Sequence, residues 1–461
     1  MSHILISAAH KSSGKTTITI GLAAALSQRH HKVQTFKKGP DYIDPMWLSR
    51  ATGNNCQNLD FYTMQKQEIL STFSRFMKGM DIGLIEGNKG LYDGLDLDGS
   101  NSNAALAKLL DAPVVLVIDA RGMTRGIAPL ILGYQDFDPD INIAGVILNQ
   151  VGGSRHEGKL RNILEHYTDV KVLGAVHKDK ALEIDERHLG LIPSNESTKT
   201  GHRIAAIANA ISEGVDLDKL LELSGETKLD LSSCQTREAT LPEPDIKIGI
   251  AQDPAFGFYY YGDLEALKMA GAELVPFNTI EDKHLPEVDA LFIGGGFPET
   301  HLDQLEANTP IRNEIKDAIE SGMPAYAECG GLMYLSRSIQ WKDKPRQMVG
   351  VIQGDIIMED KPQGRGYVQL CENGNGLWPI TGDNSSPSII NGHEFHYSRL
   401  ENLNSDLNYA FDVKRGYGID GKSDGLIYKN LQANYSHLRD VNDNHWAQRF
   451  TDFIRKVINT Y

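Results

Sequence analysis

Two groups of residues, far apart in the 461-residue chain, have the types and spacing to do chemistry. The first lies in AAHKSSGKTT, residues 8–17. Here Ser12, Ser13 and Gly14 offer backbone N–H groups to phosphate oxygens, Lys15 neutralises the terminal phosphates, and the hydroxyl of Thr16, followed by Thr17, can hold Mg²⁺. The first glycine of the G-x-x-x-x-G-K-T pattern is replaced by Ala9. Two glycine-rich acidic loops follow: KKGPDYIDP (37–45), with Asp41 and Asp44, and EGNKGLYDG (86–94), with Glu86 and Asp93. Glu86 stands where a metal-binding acid would. Asn149, at the end of IAGVILNQV, is a candidate for an adenine contact, although a hydrogen-bonded strand-end asparagine is an equal reading.

The second group centres on Cys329 in PAYAECGGLMYL (324–335). A cysteine between an apolar strand and a pair of glycines that open a helix has the pattern of a nucleophile elbow. A buried structural cysteine is the commoner fate of the residue type, but the flanking glycines point to chemistry. LFIGGGFPE (291–299) places three glycines after another strand, allowing close backbone approach and turning N–H groups toward an anion. A cysteine nucleophile needs a histidine base. His393 and His396 in NGHEFHYS and His437 in ANYSHLRD compete for that place, and His437 is the preferred one.

Elements that could hold these groups are visible as short apolar runs alternating with helical patterns, the signature of parallel sheets with crossover helices. Strands are expected at 3–9, 33–38, 82–87, 113–119, 143–150 and 170–176, with helices at 15–28 and 101–110. The loops carrying Lys15, Asp41, Asp44 and Glu86 then leave one edge of one sheet, where open α/β sheets bind ligands. Residues 226–245 are polar, carry two prolines and read as a linker. Alternation restarts at 246–253, 273–277, 290–296 and 324–329, before a β-rich tail. The expected organisation is a domain at 1–225, a linker at 226–245 and a second domain at 246–461.

Composition narrows the class of function. Acidic residues outnumber basic ones, 61 to 46, for a formal charge of −15, which disfavours nucleic acid or an anionic membrane as the main partner. No apolar run approaches the roughly 20 residues that span a bilayer, and the N-terminus lacks a signal-peptide pattern. The four cysteines, Cys56, Cys234, Cys329 and Cys371, have no CxxC spacing and fit a reducing cytoplasm. WAQRFTDFIRKVINTY (446–461) puts Trp446, Phe450, Phe453, Val457 and Ile458 on one helical face, beside Arg449, Arg455 and Lys456; packing on its own domain is expected rather than membrane binding.

Taken in order, SSGKTT, GPDYIDP, EGNKGLYDG, GVILNQVGG, ERHLGLIP, FGFYYY, GGGFPE, ECGGLMYL, GHEFHYS and NYSHL cover essentially the whole chain. They resemble the cobyrinic acid a,c-diamide synthase family, which joins a dethiobiotin-synthetase-like P-loop ATPase domain to a class I glutamine amidotransferase domain of flavodoxin-like α/β fold. The resemblance implies that Cys329 attacks the side-chain amide of L-glutamine, with His437 raising its nucleophilicity and N–H groups of Gly295, Gly296 and Gly330 forming an oxyanion hole. Ammonia would then reach the ATPase domain. There ATP and Mg²⁺ would activate two acetates of a tetrapyrrole, cobyrinic acid being the expected one, as acyl phosphates in cobalamin biosynthesis. Asp41 and Asp93 match catalytic positions, and Thr16, Asp44 and Glu86 match metal positions. A homodimer is the candidate assembly.

The chain departs from the family pattern at two places. Asp44-Pro-Met-Trp-Leu48 lacks the histidine of a D-x-x-x-H arrangement. Arg439 stands where class I amidotransferases often place a glutamate two residues after the base, so a Cys–His dyad is expected rather than a triad. Relatives that amidate sirohaem or nickel sirohydrochlorin at the same acetates remain an alternative. A positioning ATPase of the deviant P-loop type is a rival from another class, but its signature lysine would fall at His10. A stand-alone glutaminase is disfavoured by SGKTT, Glu86 and Asp93.

Overall fold

The computed structural model describes residues 1–187, 190–196, 199–225, 229, 240–342, 344–378, 388–403, 407–442 and 444–460. The chain divides into two units, Met1–Arg237 and Glu238–Tyr461. That division falls within the expected linker, of which 226–228 and 230–239, including Cys234, lie outside the described residues, as do His188 and Leu189 of ERHLGLIP.

In the first unit β1 (His3–Ala8), β2 (Val33–Lys38), β3 (Gln57–Leu59), β4 (Ile82–Glu86), β5 (Val114–Asp119), β6 (Ile143–Val151) and β7 (Lys171–His177) form a sheet in the order β3-β2-β4-β1-β5-β6-β7. Every neighbouring pair is parallel. Helices α1 (Lys15–Gln28), α2 (Ile43–Thr52), α3 (Lys66–Met77), α4 (Asn103–Leu110), α5 (Ile127–Phe137) and α6 (Ser154–Tyr167) make the crossovers. A short hairpin, β8 (Glu186–Arg187) and β9 (Gly190–Leu191), precedes α7 (Thr200–Gly214) and α8 (Leu217–Ser224). β1, β2 and β4 are buried along their whole length; β1 and β4 accordingly read as apolar runs without alternation, whereas β2, VQTFKK, buries polar residues. The expected strands all occur, with ends shifted by a residue or two. β3 was not expected: QNL is short and polar, and it forms the sheet's edge. The loop read as GPDYIDP is also shorter than expected, because α2 starts at Ile43 and puts Asp44 in its first turn, where helix N–H groups favour a carboxylate.

The second unit contains β10 (Ile246–Ala251), β11 (Phe256–Phe258), β12 (Ala272–Phe277), β13 (Ala290–Ile293), β14 (Gly295–Gly296), β15 (Ala325–Glu328), β16 (Ser336–Trp341), β17 (Lys344–Gln347), β18 (Ile352–Met358), β19 (Gly364–Glu372), β20 (Ile389–His396), β21 (Ser398–Glu401), β22 (Asn408–Arg415), β23 (Ser423–Tyr428) and β24 (Leu431–Asn434). Its main sheet runs β12-β10-β13-β15-β24-β23-β22-β19-β20. The strands from β12 to β24 are parallel, and those beyond β24 are antiparallel. β11 pairs with β14, and β17-β16-β18-β21 form a smaller sheet. Helices α9 (Tyr261–Met269), α10 (Leu302–Ala307), α11 (Thr309–Glu320) and α12 (Gly330–Leu335) lie between strands, and α13 (Trp446–Ile458) ends the unit.

The apolar face of α13 differs from the one expected. Trp446, Phe450 and Ile454, at i, i+4 and i+8, are fully buried, whereas Ile458 is exposed. Trp446 packs against Phe292 and Tyr326, and Phe450 against Trp378. Arg449 pairs with Glu372 at 3.0 Å and Arg455 with Asp245 at 2.7 Å, so both cations are satisfied within the unit. Among the described residues no helix is long and apolar enough to cross a membrane.

Candidate functional site

In the first unit, β1 delivers the chain to a loop that turns back on itself before α1. Ser12 (φ 64°) and Gly14 (φ 80°) both adopt left-handed backbone conformations there. Ser13 Oγ donates to the His10 carbonyl at 2.9 Å. Asn149, projecting from β6, donates through Nδ2 to the Ser13 carbonyl at 2.9 Å and so braces the loop. A Cβ on Gly14 would stand 2.1 Å from the same nitrogen. Gly14→Ala combines that clash with a positive φ, a strain of about 1–3 kcal/mol, and is expected to weaken ATP binding by about tenfold or more. Calorimetric titration with a non-hydrolysable ATP analogue checks this, and wild-type affinity would mean that the loop relaxes freely.

The acidic loops meet at Thr16. Its Oγ1 lies 2.6 Å from Glu86 Oε1 and 3.2 Å from Asp44 Oδ2, while Lys15 Nζ is 3.8 Å from Glu86 Oε1. Lys37, which the sequence reading passed over, is the register partner of Glu86 across β2 and β4. Its Nζ bonds Asp44 and lies 3.1 Å from Glu86 Oε1 and 3.6 Å from Asp41 Oδ2. Burial alone would depress the Lys37 ammonium; Asp44, Glu86 and Asp41 overcome it and hold the pKa well above that of a free lysine. Lys15 is shifted the other way, chiefly by burial. Burial and the neighbouring Asp44 push Asp41 up to about 7, while its Oδ1 accepts from the N–H groups of Ile43 and Asp44. A lysine in a strand that is otherwise wholly buried demands compensating charge, and that was the available signal.

A hard divalent cation fits this group. Glu86 Oε2 is buried without a hydrogen-bond partner, while its Oε1 and Asp44 Oδ2 both bond the Thr16 hydroxyl. Three oxygen donors leave the remaining octahedral positions to phosphate oxygens and water. Asp93 takes no part in the group: its Oδ2 accepts from Gly90 N–H at 2.9 Å, next to the Ala9 carbonyl that receives the Tyr134 hydroxyl at 2.5 Å. Leu48, in place of the family's histidine, is fully buried in the core, and Trp47 Nε1 donates to the Ile192 carbonyl.

In the second unit Cys329 forms the turn between β15 and α12, with φ 47° and ψ −102°, a backbone that a non-glycine residue adopts at a cost. Cys329 N–H donates to the Asn434 carbonyl at 2.8 Å, which ties the turn to the end of β24. Three residues later the chain presents His437, whose imidazole interacts with the Cys329 sulfur strongly enough to raise its pKa. Burial would lower the His437 pKa, but the bonds to Cys329 and Glu328 push it up to about 10. His437 Nδ1 lies 3.1 Å from Glu328 Oε2, so the base is not the isolated dyad partner expected from sequence. Arg439 faces elsewhere, with its guanidinium over the Tyr260 ring at 4.6 Å.

The competing histidines have other tasks. His393 stacks on His437 with ring centroids 4.8 Å apart and an 18° interplanar angle, and the two residues exchange backbone hydrogen bonds. Burial, reinforced by the charge of His437, drives the His393 pKa well below that of free histidine; Tyr260 OH lies 3.2 Å from its Nδ1. His396 stacks on Tyr435 and bonds the Ser398 carbonyl. The glycines close around the thiol. A Cβ on Gly295 would meet His437 Cε1 at 2.7 Å, and one on Gly330 would meet the Gly296 nitrogen at 2.9 Å, so both positions need glycine for the turn and the base to approach.

Residues 4–192 match the model of the CobQ/CobB/MinD/ParA nucleotide binding domain, and residues 247–445 match that of the CobB/CobQ-like glutamine amidotransferase domain. Full-length relatives are similar throughout. The cobyrinate a,c-diamide synthase of Magnetococcus marinus is 42% identical, with 98% of this chain and 97% of that protein covered. That of Methanosarcina acetivorans is 42% identical over 95% and 92% of the two chains, and that of Archaeoglobus fulgidus 41% over 97% and 96%.

Proposed function

The chain belongs to the cobyrinate a,c-diamide synthase family, and we propose that it uses ATP and glutamine to amidate the a and c acetates of cobyrinic acid. One observation carries the reading: a chain that aligns end to end with synthases of that name holds a cysteine–histidine pair in one unit and a phosphate loop facing acidic residues in the other. Both halves are needed on chemical grounds. A carboxylate is a poor electrophile, and ammonia in neutral water is mostly the non-nucleophilic ammonium ion.

In the amidotransferase unit, Cys329 Sγ attacks the glutamine side-chain carbonyl. N–H groups of Gly295, Gly296 and Gly330 take up the developing oxyanion. The imidazolium of His437 gives its proton to the departing ammonia, leaving a glutamyl thioester that water hydrolyses to glutamate and free thiol. In the nucleotide unit, the acetate oxygen displaces ADP from the γ-phosphorus of ATP to give an acyl phosphate; ammonia then attacks its carbonyl and expels phosphate. Lys15 neutralises charge on the transferring phosphoryl group. Asp41, with its carboxyl raised to about 7, is the proposed acid–base group of the acceptor reaction, and Asp93, held by the Gly90 N–H outside the metal group, is proposed as a second one. Thr16, Asp44 and Glu86 would hold Mg²⁺, which supplies charge neutralisation at the phosphates.

The test offers the protein ATP, Mg²⁺ and glutamine with cobyrinic acid and, separately, with sirohaem or nickel sirohydrochlorin, and reads products by mass spectrometry. Two acid-to-amide conversions on cobyrinic acid are expected. Conversion of one of the other macrocycles alone would reassign the substrate, and no conversion of any would remove the synthase reading.

A further inference from the structure

Glu328 immediately precedes the nucleophile, and its carboxylate is 3% exposed. A carboxylate at that depth must be paired with donors, and Glu328 has three. Tyr326 OH donates to Oε1 at 2.6 Å, Leu438 N–H donates to the same oxygen at 2.9 Å, and Oε2 faces His437 Nδ1 at 3.1 Å. Tyr326 and Glu328 share one face of β15 because side chains alternate along a strand, and Cys329 follows in the turn, where φ 47° and ψ −102° end that alternation. The parallel pairing of Glu328 with Asn434 brings the chain after β24 around to this carboxylate. The end of β15 thus carries the group that grips the base, immediately before the turn that holds the nucleophile.

We propose that Glu328 is the positioning residue of the glutamine-hydrolysing centre, fixing His437 with Nδ1–H toward itself so that Nε2 is the nitrogen offered to Cys329. The position two residues after the base cannot do this job here, since Arg439 lies over Tyr260 and brings no negative charge. A carboxylate one residue before the nucleophile supplies the same orientation from the opposite strand. Orientation by a carboxylate has two effects in such centres: it selects the tautomer, and it stabilises the imidazolium formed when the thiol gives up its proton. His393 stacks its face on the His437 ring, and Tyr260 OH bonds His393 Nδ1.

The proposal rests on the amidotransferase reading of Cys329 and is tested so that the two fail separately. Glu328→Gln is the variant of choice, because its amide oxygen can still accept from Tyr326 and Leu438 while its NH₂ now faces Nδ1. That arrangement holds the backbone but forces Nδ1 to accept, leaving the proton on Nε2 and removing the base from the thiol. Glutamine hydrolysis is expected to fall about 10³-fold in kcat with KM for glutamine little changed, by analogy with a wrong-tautomer substitution in a serine-protease triad. Glu328→Asp should recover part of the loss. The pH profile of Cys329 alkylation by iodoacetamide reads the pair directly: without Glu328 the imidazolium is less stable, so thiolate reactivity begins at higher pH. Nitrogen-15 NMR of labelled histidine should show His437 changing tautomer while the thermal midpoint stays near that of the wild type. Unaltered kcat and alkylation profile in Glu328→Gln, alongside an inactive Cys329→Ala, would overturn the role of Glu328 alone. A Cys329→Ala protein that still hydrolysed glutamine would overturn the underlying reading instead.

Discussion

Cys329→Ala should lose glutamine-dependent amidation by about 10⁴-fold or more, yet make diamide at close to the wild-type rate when supplied with a high concentration of ammonium salt at alkaline pH. The substitution keeps a Cβ in the turn, so the φ of 47° carries much the same strain and the neighbouring Gly330 and His437 need not move. Only the sulfur is removed, and with it the sole atom placed to form the glutamyl thioester. On the proposed reading, ammonia supplied from solution bypasses that step and attacks the acyl phosphate directly. Product formation with each nitrogen source, followed by mass spectrometry, provides the readout. Equal loss with both donors would contradict a division of labour between the units and would point to a collapse of the fold or to a role for Cys329 in the acceptor reaction.

The features legible in the sequence were those with a local backbone cause. SGKTT after an apolar run required a strand, a loop and a helix, and α1 begins at Lys15 as expected. The glycines around Cys329 required a tight turn. Long-range pairing was less visible. Lys37 reads as one more polar residue at a strand end until its register with Glu86 is known. Glu328 reads as a neighbour of the cysteine until β24 is placed beside β15. In both cases the clue was a charged residue at the end of a buried strand, which burial makes costly unless a partner arrives from elsewhere in the chain. β3 was missed because two polar residues and a leucine show no period, and the α13 face was right at Trp446, Phe450 and Phe453 but omitted the buried Ile454 and included the exposed Ile458. Asn149 illustrates a different limit: its position at the end of β6 was right, but the partner that it meets is the phosphate loop itself.

Lys37→Met should damage both stability and synthesis, and pH separates the charge effect from a packing effect. Methionine nearly matches the lysine stem in volume, so little space is lost. What disappears is the cation between Asp44, Glu86 and Asp41. Removing one partner from a buried ionic group typically costs about 3–5 kcal/mol, because the remaining charges are left uncompensated. The carboxylates can escape by binding protons. Asp41 already sits near 7 in the folded protein against about 3.9 in an unfolded chain, and loss of Lys37, which lowers it, moves it higher still. A folded pKa above the unfolded one gives stability that is present below the unfolded value and is lost as pH rises through the folded value. The deficit in the variant should therefore be small near pH 4 and grow through pH 7, and millimolar Mg²⁺ should recover part of it by supplying positive charge to Asp44 and Glu86. Thermal unfolding at pH 5 and pH 8, with and without Mg²⁺, measures this. An equal loss at both pH values and no response to Mg²⁺ would mean that Lys37 serves packing alone. Amidation should vanish with either nitrogen donor while glutamine hydrolysis survives, since Cys329 and His437 belong to the other unit.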